Sequence, residues 1–333
     1  MQPRRAPKLG RAERRILSWN RYWRHTKAPS APLYAAGDPS VDFVESRIAA
    51  SARQFGGSPR ILDIGAGRGF LTGWIRRVLP RADVHTTDAA DIAPLEHPEK
   101  HIRAPAERLP HASDSFNIIM STFAMDYTQR ELFAGEMRRV LKKGGTAVLL
   151  LHHPQSTLLK AMQIERQCIL SELVYLRRFR KYTKTGSKAD FDGAINALKP
   201  LRELKEISGR FGGGGPEETE AYMQMLATTK AAKEQPKPGG KEMEKKRIAG
   251  IGNAIREVAS RGAHTRFLLR HRGAQLFASE AEMRQFFEKH GFAVLETTVI
   301  REGTDSHIRL GTGRAVGLGR KGDPRAYGIV LKK

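Results

Sequence analysis

Residues Arg60 to Thr72 read RILDIGAGRGFLT, with glycines at alternate positions 65, 67 and 69. The apolar run Ile61, Leu62 and Ile64 predicts a strand buried in a parallel sheet. Phe70 to Leu79, FLTGWIRRVL, predicts a helix directly behind the glycines. Glycine admits backbone angles closed to other residues and lets a ligand come close to the main chain. The helix start adds amide N–H groups and the positive end of its dipole. Strand, glycine turn and helix in that order predict a nucleotide-cofactor site.

Two cofactor classes use such a turn. The dinucleotide fingerprint spaces its glycines G-x-G-x-x-G, whereas here Phe70 stands at the third position. Val84 to Asp88, VHTTD, predicts a second strand ending in a carboxylate, and two acceptor oxygens suit the ribose hydroxyls of either cofactor. Asp63-x-Gly65-x-Gly67-x-Gly69 resembles the first motif of the class I S-adenosylmethionine (SAM)-dependent methyltransferases. Ala106 to Ser121, AERLPHASDSFNIIMS, resembles the A-E-x-L-P…S-F-D segment of the subfamily that includes the ubiquinone/menaquinone-type methyltransferases. Val140 to Leu151, VLKKGGTAVLLL, resembles that subfamily's L-K-P-G-G turn into the fifth strand. The resemblance runs from Asp38 to His153.

That resemblance implies an α/β, Rossmann-like seven-stranded sheet with helices on both faces, and SAM as cofactor. It assigns Gly65, Ala66, Gly67 and Gly69 to the methionine portion of SAM. Asp63 would orient the turn or accept a bond from the cofactor's amino group. Asp88 would hold the ribose, with a helix N-cap as its structural alternative. Related enzymes often place an aspartate before A-E-x-L-P to bond the adenine; Pro105 stands there in this chain. Adenine recognition would then fall to the amides of Ala106 or Glu107, or to the Glu107 carboxylate. Asn117 likewise replaces the aspartate of S-F-D.

Composition narrows the function classes. The single cysteine, Cys168, excludes an internal disulfide framework and a Cys-rich zinc site. It lies beyond the fourth and fifth strands, where 5-methylcytosine chemistry needs its nucleophile, and reads as a buried thiol. No apolar run approaches the ~18 residues of a membrane span, and the N-terminus has no apolar signal core. These features predict a soluble, reducing, cytoplasmic setting. The net charge of +23 is unevenly placed. Residues 1–30 carry 9 Lys+Arg against 1 Asp+Glu, residues 31–154 carry 15 against 14, and residues 155–277 carry 24 against 13. A general basic bias would have charged the core as well, so the appendages predict a polyanionic partner.

The order of elements predicts four segments. Residues 1–37 form a basic helix and loop, in which Ile16, Trp19 and Trp23 share one face of RAERRILSWNRYWRH. That helix reads as packed on the core or as a lid; a nucleic-acid contact and a targeting peptide compete. Residues 38–154 form the SAM-binding core, with strands near 60–65, 82–88, 100–104, 116–122 and 145–152. Helices are expected at 41–55, 69–79, 90–96 and 128–141. Residues 155–277 read as a basic helical insertion between strands five and six. It includes helices over 157–182 and 188–207, a hinge at Gly212 to Pro216 and a linker at Lys230 to Lys246. Residues 278–333 then complete the sheet with a helix opened by Ser279, a sixth strand at Phe292 to Ile300 and a seventh at Ala326 to Leu331.

SAM supplies the reactive methyl, so the protein mainly positions the acceptor and sometimes removes a proton. The mouth is expected at STFAMDYT (Ser121 to Thr128) and LHHP (Leu151 to Pro154), the ends of strands four and five. The [ND]-P-P-[YF] motif is absent there, which disfavours N6-adenine and glutamine methylation. His152, His153, Asp126 and Tyr127 are candidate proton handlers, with a loop or packing role favoured for either histidine alone. No catalytic residue is assigned, and metal-ligand spacing is absent. The leading expectation is a methyltransferase acting on RNA or an RNA-containing assembly. A small-molecule or lipid-quinone methyltransferase, with its basic helix resting on an anionic membrane, is the first alternative. A non-catalytic binding protein that keeps the fold is the second.

Overall fold

The computed structural model describes residues 10–25, 38–56, 58–92, 100–156, 276–303, 306–309 and 315–333, with 173–182, 184–185, 187–194 and scattered positions between 159 and 259. In chain order come α1 (Arg11–His25), α2 (Pro39–Arg53), β1 (Arg60–Ile64), α3 (Phe70–Val78), β2 (Asp83–Asp88), β3 (His101–Arg103) and β4 (Phe116–Thr122). They are followed by α4 (Arg130–Val140), β5 (Leu141–His152), α5 (Glu280–Lys289), β6 (Ala293–Arg301), β7 (Ser306–Arg309), β8 (Ala315–Gly319) and β9 (Pro324–Lys332).

The main sheet has seven strands in the order β3-β2-β1-β4-β5-β9-β6. The first five run parallel, and β9 is antiparallel to both β5 and β6. Helices cover both faces, as the expected fold class requires. Side chains alternate across the sheet, so Ile61, Ile118, Met120, Val148 and Leu150 pack on one side with Val44 and Ile48 of α2 and Leu71 and Ile75 of α3. Leu62, Ile119, Ala147, Leu149 and Leu151 pack on the other with Phe133 and Met137 of α4 and Met283 and Phe287 of α5. Each fully buried large side chain contributes roughly 1.5–3 kcal/mol, so two such layers hold the central strands rigidly.

Local signals set the helix starts. Asp38 caps α2, its Oδ1 accepting from the Ser40 amide at 2.8 Å, and Pro39 sits in the first turn. Arg325 of β9 ties down the same corner through ion pairs with Asp38 and with Glu302 (3.0 Å). Ser279 caps α5 by accepting from the Glu282 amide.

Two expectations need correction, and a third, the helix at 90–96, falls mostly outside the described residues. The connection between the expected sixth and seventh strands, read as a loop, holds an antiparallel hairpin of Ser306–Arg309 and Ala315–Gly319. The two strands, SHIR and AVGLG, offer little apolar periodicity to read. The fifth strand begins at Leu141, not near 145, because the chain enters pairing with Phe116 through an irregularity before Ile118. No helix is described over 89–92, which forms a bend closed by the Asp88 side chain on the Ala90 amide (2.8 Å); residues 93–99 lie outside the described residues. Cys168, the Gly212–Pro216 hinge and the Lys230–Lys246 linker also lie outside them.

Candidate cofactor and acceptor site

Strand order reverses between β1 and β4: the chain builds outward through β2 and β3, then returns to the far side of β1. Crevices at such a reversal, beyond the carboxyl ends of the strands, are where open α/β sheets bind ligands. The glycine turn lies there. Gly65, Gly67 and Gly69 have φ of 76°, 56° and 77°, left-handed angles that L side chains adopt at a cost. The Gly65 and Ala66 amides donate to the Thr87 carbonyl at 2.8 and 3.0 Å, tying the turn to the end of β2. Space excludes side chains as well. A Cβ on Gly65 would stand 2.3 Å from that of Ala124, and one on Gly67 would stand 2.7 Å from the Trp23 indole.

Two carboxylates brace this turn. Asp88 accepts from the Gly67 amide through Oδ2 (2.9 Å) and from Ala90 through Oδ1. Burial raises its pKa, opposed by the Ala90 and Gly67 amides and by nearby His101. Asp63 is buried beneath the turn and accepts from the Thr72 hydroxyl of α3 at 2.6 Å. Burial pushes Asp63 up to about 7; the Thr72 bond and Arg76 act downward, and the Asp88 charge acts upward. Asp63 thus joins β1 to α3 behind the glycines.

α1 lies across the ends of the strands. Arg15 pairs with Glu107, and Asn20 accepts from the Asp91 amide at 2.7 Å. Arg68 donates to the Trp23 carbonyl at 3.3 Å, and the Trp19 ring meets Tyr127 edge-on at 4.9 Å. The loops after β1, β2, β3 and β4 are therefore all touched by one helix. Glu107 also accepts from the Gln129 amide at 3.0 Å. That carboxylate, expected at the adenine, links α1 to the start of α4; Ala106 is buried next to it.

At the ends of β4 and β5 the structure brings together three of the four candidate proton handlers. Asp126 accepts the His152 amide at 2.9 Å and lies 3.9 Å from His152 Nε2. The Tyr127 hydroxyl is 3.3 Å from the same Nε2. Phe123 stacks on the imidazole with ring centroids 4.3 Å apart. All four residues are buried. Phe123 holds a left-handed φ of 58°, an angle uncommon for a bulky residue and found at sites where the surroundings over-determine the backbone. Its amide donates to Leu150, and Ser121 Oγ donates to Ile64, so β4 is anchored on both sides. His153 stands apart from this cluster, its ring 4.7 Å from Tyr327. Burial lowers the His153 pKa, as does Arg301, with Glu280 opposing.

Sequence reading named Asp126, Tyr127 and His152 separately but not their convergence, nor Phe123, Thr72, Asn20 or Arg15. The two tryptophans on one face of α1 were the available signal for that helix. Among the described residues, no group of three or more His, Cys, Asp or Glu could hold a metal ion. No helix among them is long and apolar enough to cross a membrane.

The fold and the glycine turn define a nucleotide-cofactor protein of the Rossmann-like class. Residues 62–149 match the family profile described as a methyltransferase domain. A malonyl-[acyl-carrier protein] O-methyltransferase of Halorhodospira halophila (strain DSM 244 / SL1) is 28% identical over 106 residues, covering 29% of this chain and 36% of that relative's length. A SAM-dependent methyltransferase structure from Mesorhizobium loti is 24% identical, covering 30% of this chain and 51% of that one, with a TM-score of 0.27. The 1,6-didemethyltoxoflavin-N1-methyltransferase of Burkholderia thailandensis is 16% identical, covering 45% and 68%, with a TM-score of 0.32. The match over residues 62–149 supports a class I SAM-dependent methyltransferase core. The left-handed glycine turn and the Asp88 carboxylate at the end of β2 are compatible with that cofactor, while the space beside Gly65 and Gly67 is taken by Ala124 and Trp23.

Proposed function

We propose that this protein transfers the methyl group of SAM to RNA or an RNA-containing assembly. The observation that carries the methyl-transfer reading is the left-handed glycine turn whose Gly67 amide is held by Asp88. In this reading Gly65, Ala66, Gly67 and Gly69 receive the methionine portion, Asp88 the ribose, and the Ala106–Glu107 segment the adenine. Asp63 keeps the turn in place through Thr72. SAM supplies an electrophilic methyl; the chain's own residues bind, orient and exclude water.

The RNA reading rests on the appendages. Residues 1–30 carry net +8 and residues 155–277 net +11, beside a core of +1. On the helical stretch 173–182 and just beyond it, Arg177, Arg178, Arg180, Lys181 and Lys184 are exposed, while Tyr175, Leu176 and Phe179 are buried. Lys181 pairs with Asp190 and Lys188 with Asp192, which lowers the local excess.

A second reading, a compact small-molecule acceptor, is favoured by one observation: the acceptor end is enclosed by Trp19, Phe123, Tyr127 and His152. Titration calorimetry with SAM tests the shared part, and absence of binding sinks both readings. Structured RNA then separates them. Six phosphate contacts on a duplex give a log K versus log salt slope of about −5. Negligible RNA binding at physiological salt leaves the small-molecule reading in place.

A further inference from the structure

We propose that His152 is the proton acceptor of the methyl-transfer reaction, reached through the Tyr127 hydroxyl and held by Asp126. The proposal rests on the methyltransferase reading above and places its acceptor end at this cluster. Three separate parts of the chain converge there: the Met125–Tyr127 turn, the last residue of β5, and Trp19 of α1. Ala124, next to that turn, is the residue a Cβ on Gly65 would strike, so the cluster adjoins the cofactor turn.

The acceptors that fit carry an ionisable O–H or N–H. As that oxygen or nitrogen gains the methyl carbon, the electron pair of the broken carbon–sulfur bond stays on sulfur, leaving the thioether. The acceptor's proton passes to the Tyr127 oxygen while the Tyr127 proton passes to His152 Nε2, 3.3 Å away. Nε2 can accept only in the tautomer protonated at Nδ1. The imidazolium that results is stabilised by the Asp126 carboxylate at 3.9 Å. Asp126 also fixes the backbone beneath the ring by accepting the His152 amide, and Phe123 holds the ring plane. Asp126 is therefore a positioning residue. From the neighbouring strand, His152 pairs in register with Ala326, α1 sets Trp19 against Tyr127, and Asp126 and Tyr127 are titratable groups beside the imidazole.

The test pairs transfer with a readout on the protein alone. Label from methyl-tritiated SAM is followed into total RNA and into the solvent-extractable fraction of cells lacking the gene. His152→Ala should lose about a hundredfold or more of the rate, the scale of general-base catalysis, with SAM affinity kept. Added imidazole should restore part of it, which a packing role would not allow. Tyr127→Phe keeps the ring and should also slow transfer. In the SAM-free protein, the NMR titration midpoint of His152 should fall in Asp126→Asn, because the imidazolium loses its counter-charge. Wild-type transfer in His152→Ala or Tyr127→Phe, or an unmoved midpoint, overturns the proposal. So does SAM binding without label in either fraction. If His152→Ala fails to fold, Tyr127→Phe and the Asp126→Asn midpoint still decide. Wild-type protein that does not bind SAM refutes instead the methyltransferase reading.

Discussion

The two ends of the proposed ligand site are built by different means. At the ends of β1 and β2 the working surface is main chain: Gly65, Gly67 and Gly69 in left-handed conformation, with Asp88 bonding the Gly67 amide. At the ends of β4 and β5 it is side chain: Asp126, Tyr127 and His152, covered by Trp19. A main-chain surface has few ways to vary, because its shape is fixed by backbone angles and by the absence of Cβ atoms. A side-chain surface can be rebuilt by substitution without moving the sheet. In the proposed reading, one end would keep a single cofactor while the other could adapt to different acceptors, as one fold can host many chemistries.

The largest effect is expected where the main-chain surface is filled. Gly67→Val forces a β-branched residue to a φ of 56° and drives its Cβ into the Trp23 ring. SAM binding should become undetectable by calorimetry, whereas the circular dichroism of the sheet persists, since Gly67 lies outside every strand. Retained SAM affinity would mean that the turn is not the cofactor surface, and the contrast between the two ends would collapse.

A smaller loss should follow from the carboxylate. Asp88→Ala removes the proposed ribose acceptor and leaves the Gly67 and Ala90 amides without their partner. Hydrogen bonds to a charged group contribute about 1.5–3 kcal/mol, and SAM affinity should fall by that order. Asp88→Asn should fall less, because the amide oxygen can still accept one of those bonds. Equal losses in both variants would point to charge as the decisive property; no loss in either would confine Asp88 to the loop.

These two ends were also unequally legible in the sequence. Glycines at alternate positions mark a backbone requirement that is local, so Gly65, Gly67 and Gly69 could be read directly. The buried stripe of α2 (Val41, Val44, Ile48 and Ala52) followed from helical periodicity in the same way. The meeting of Tyr127 with His152 is a contact across two strands, set by the register of β4 against β5 rather than by any spacing along the chain. Glu107 was legible as a charged residue near the crevice. Its partner, Arg15, lies 92 positions away, and nothing local announced it. The left-handed Phe123 was hidden for another reason: phenylalanine is a residue that sequence rules place in strands, not in such a conformation.

The smallest effect on the cofactor end should come from the basic face that carries the RNA reading. Arg177 and Lys184 are exposed, and neither lies in the glycine turn at 65–69 or the Met125–Tyr127 turn. They are better probes than Lys181, which pairs with Asp190 at 2.9 Å, or Arg178, whose guanidinium fills the space beside Gly193. Substituting Arg177→Glu and Lys184→Glu together should leave SAM affinity within about 0.5 kcal/mol, as exposed substitutions usually do. If both residues neutralise phosphates, RNA affinity should fall and the log–log salt slope should flatten by about 2, near 0.9 for each lost contact. An unchanged slope would remove these two residues from the RNA contact and leave residues 1–30, net +8, and the other basic residues of 155–277 as candidates. A large loss of SAM affinity would be more consequential, because it would couple the basic face to the cofactor turn and end the separation between a main-chain site and its charged surroundings.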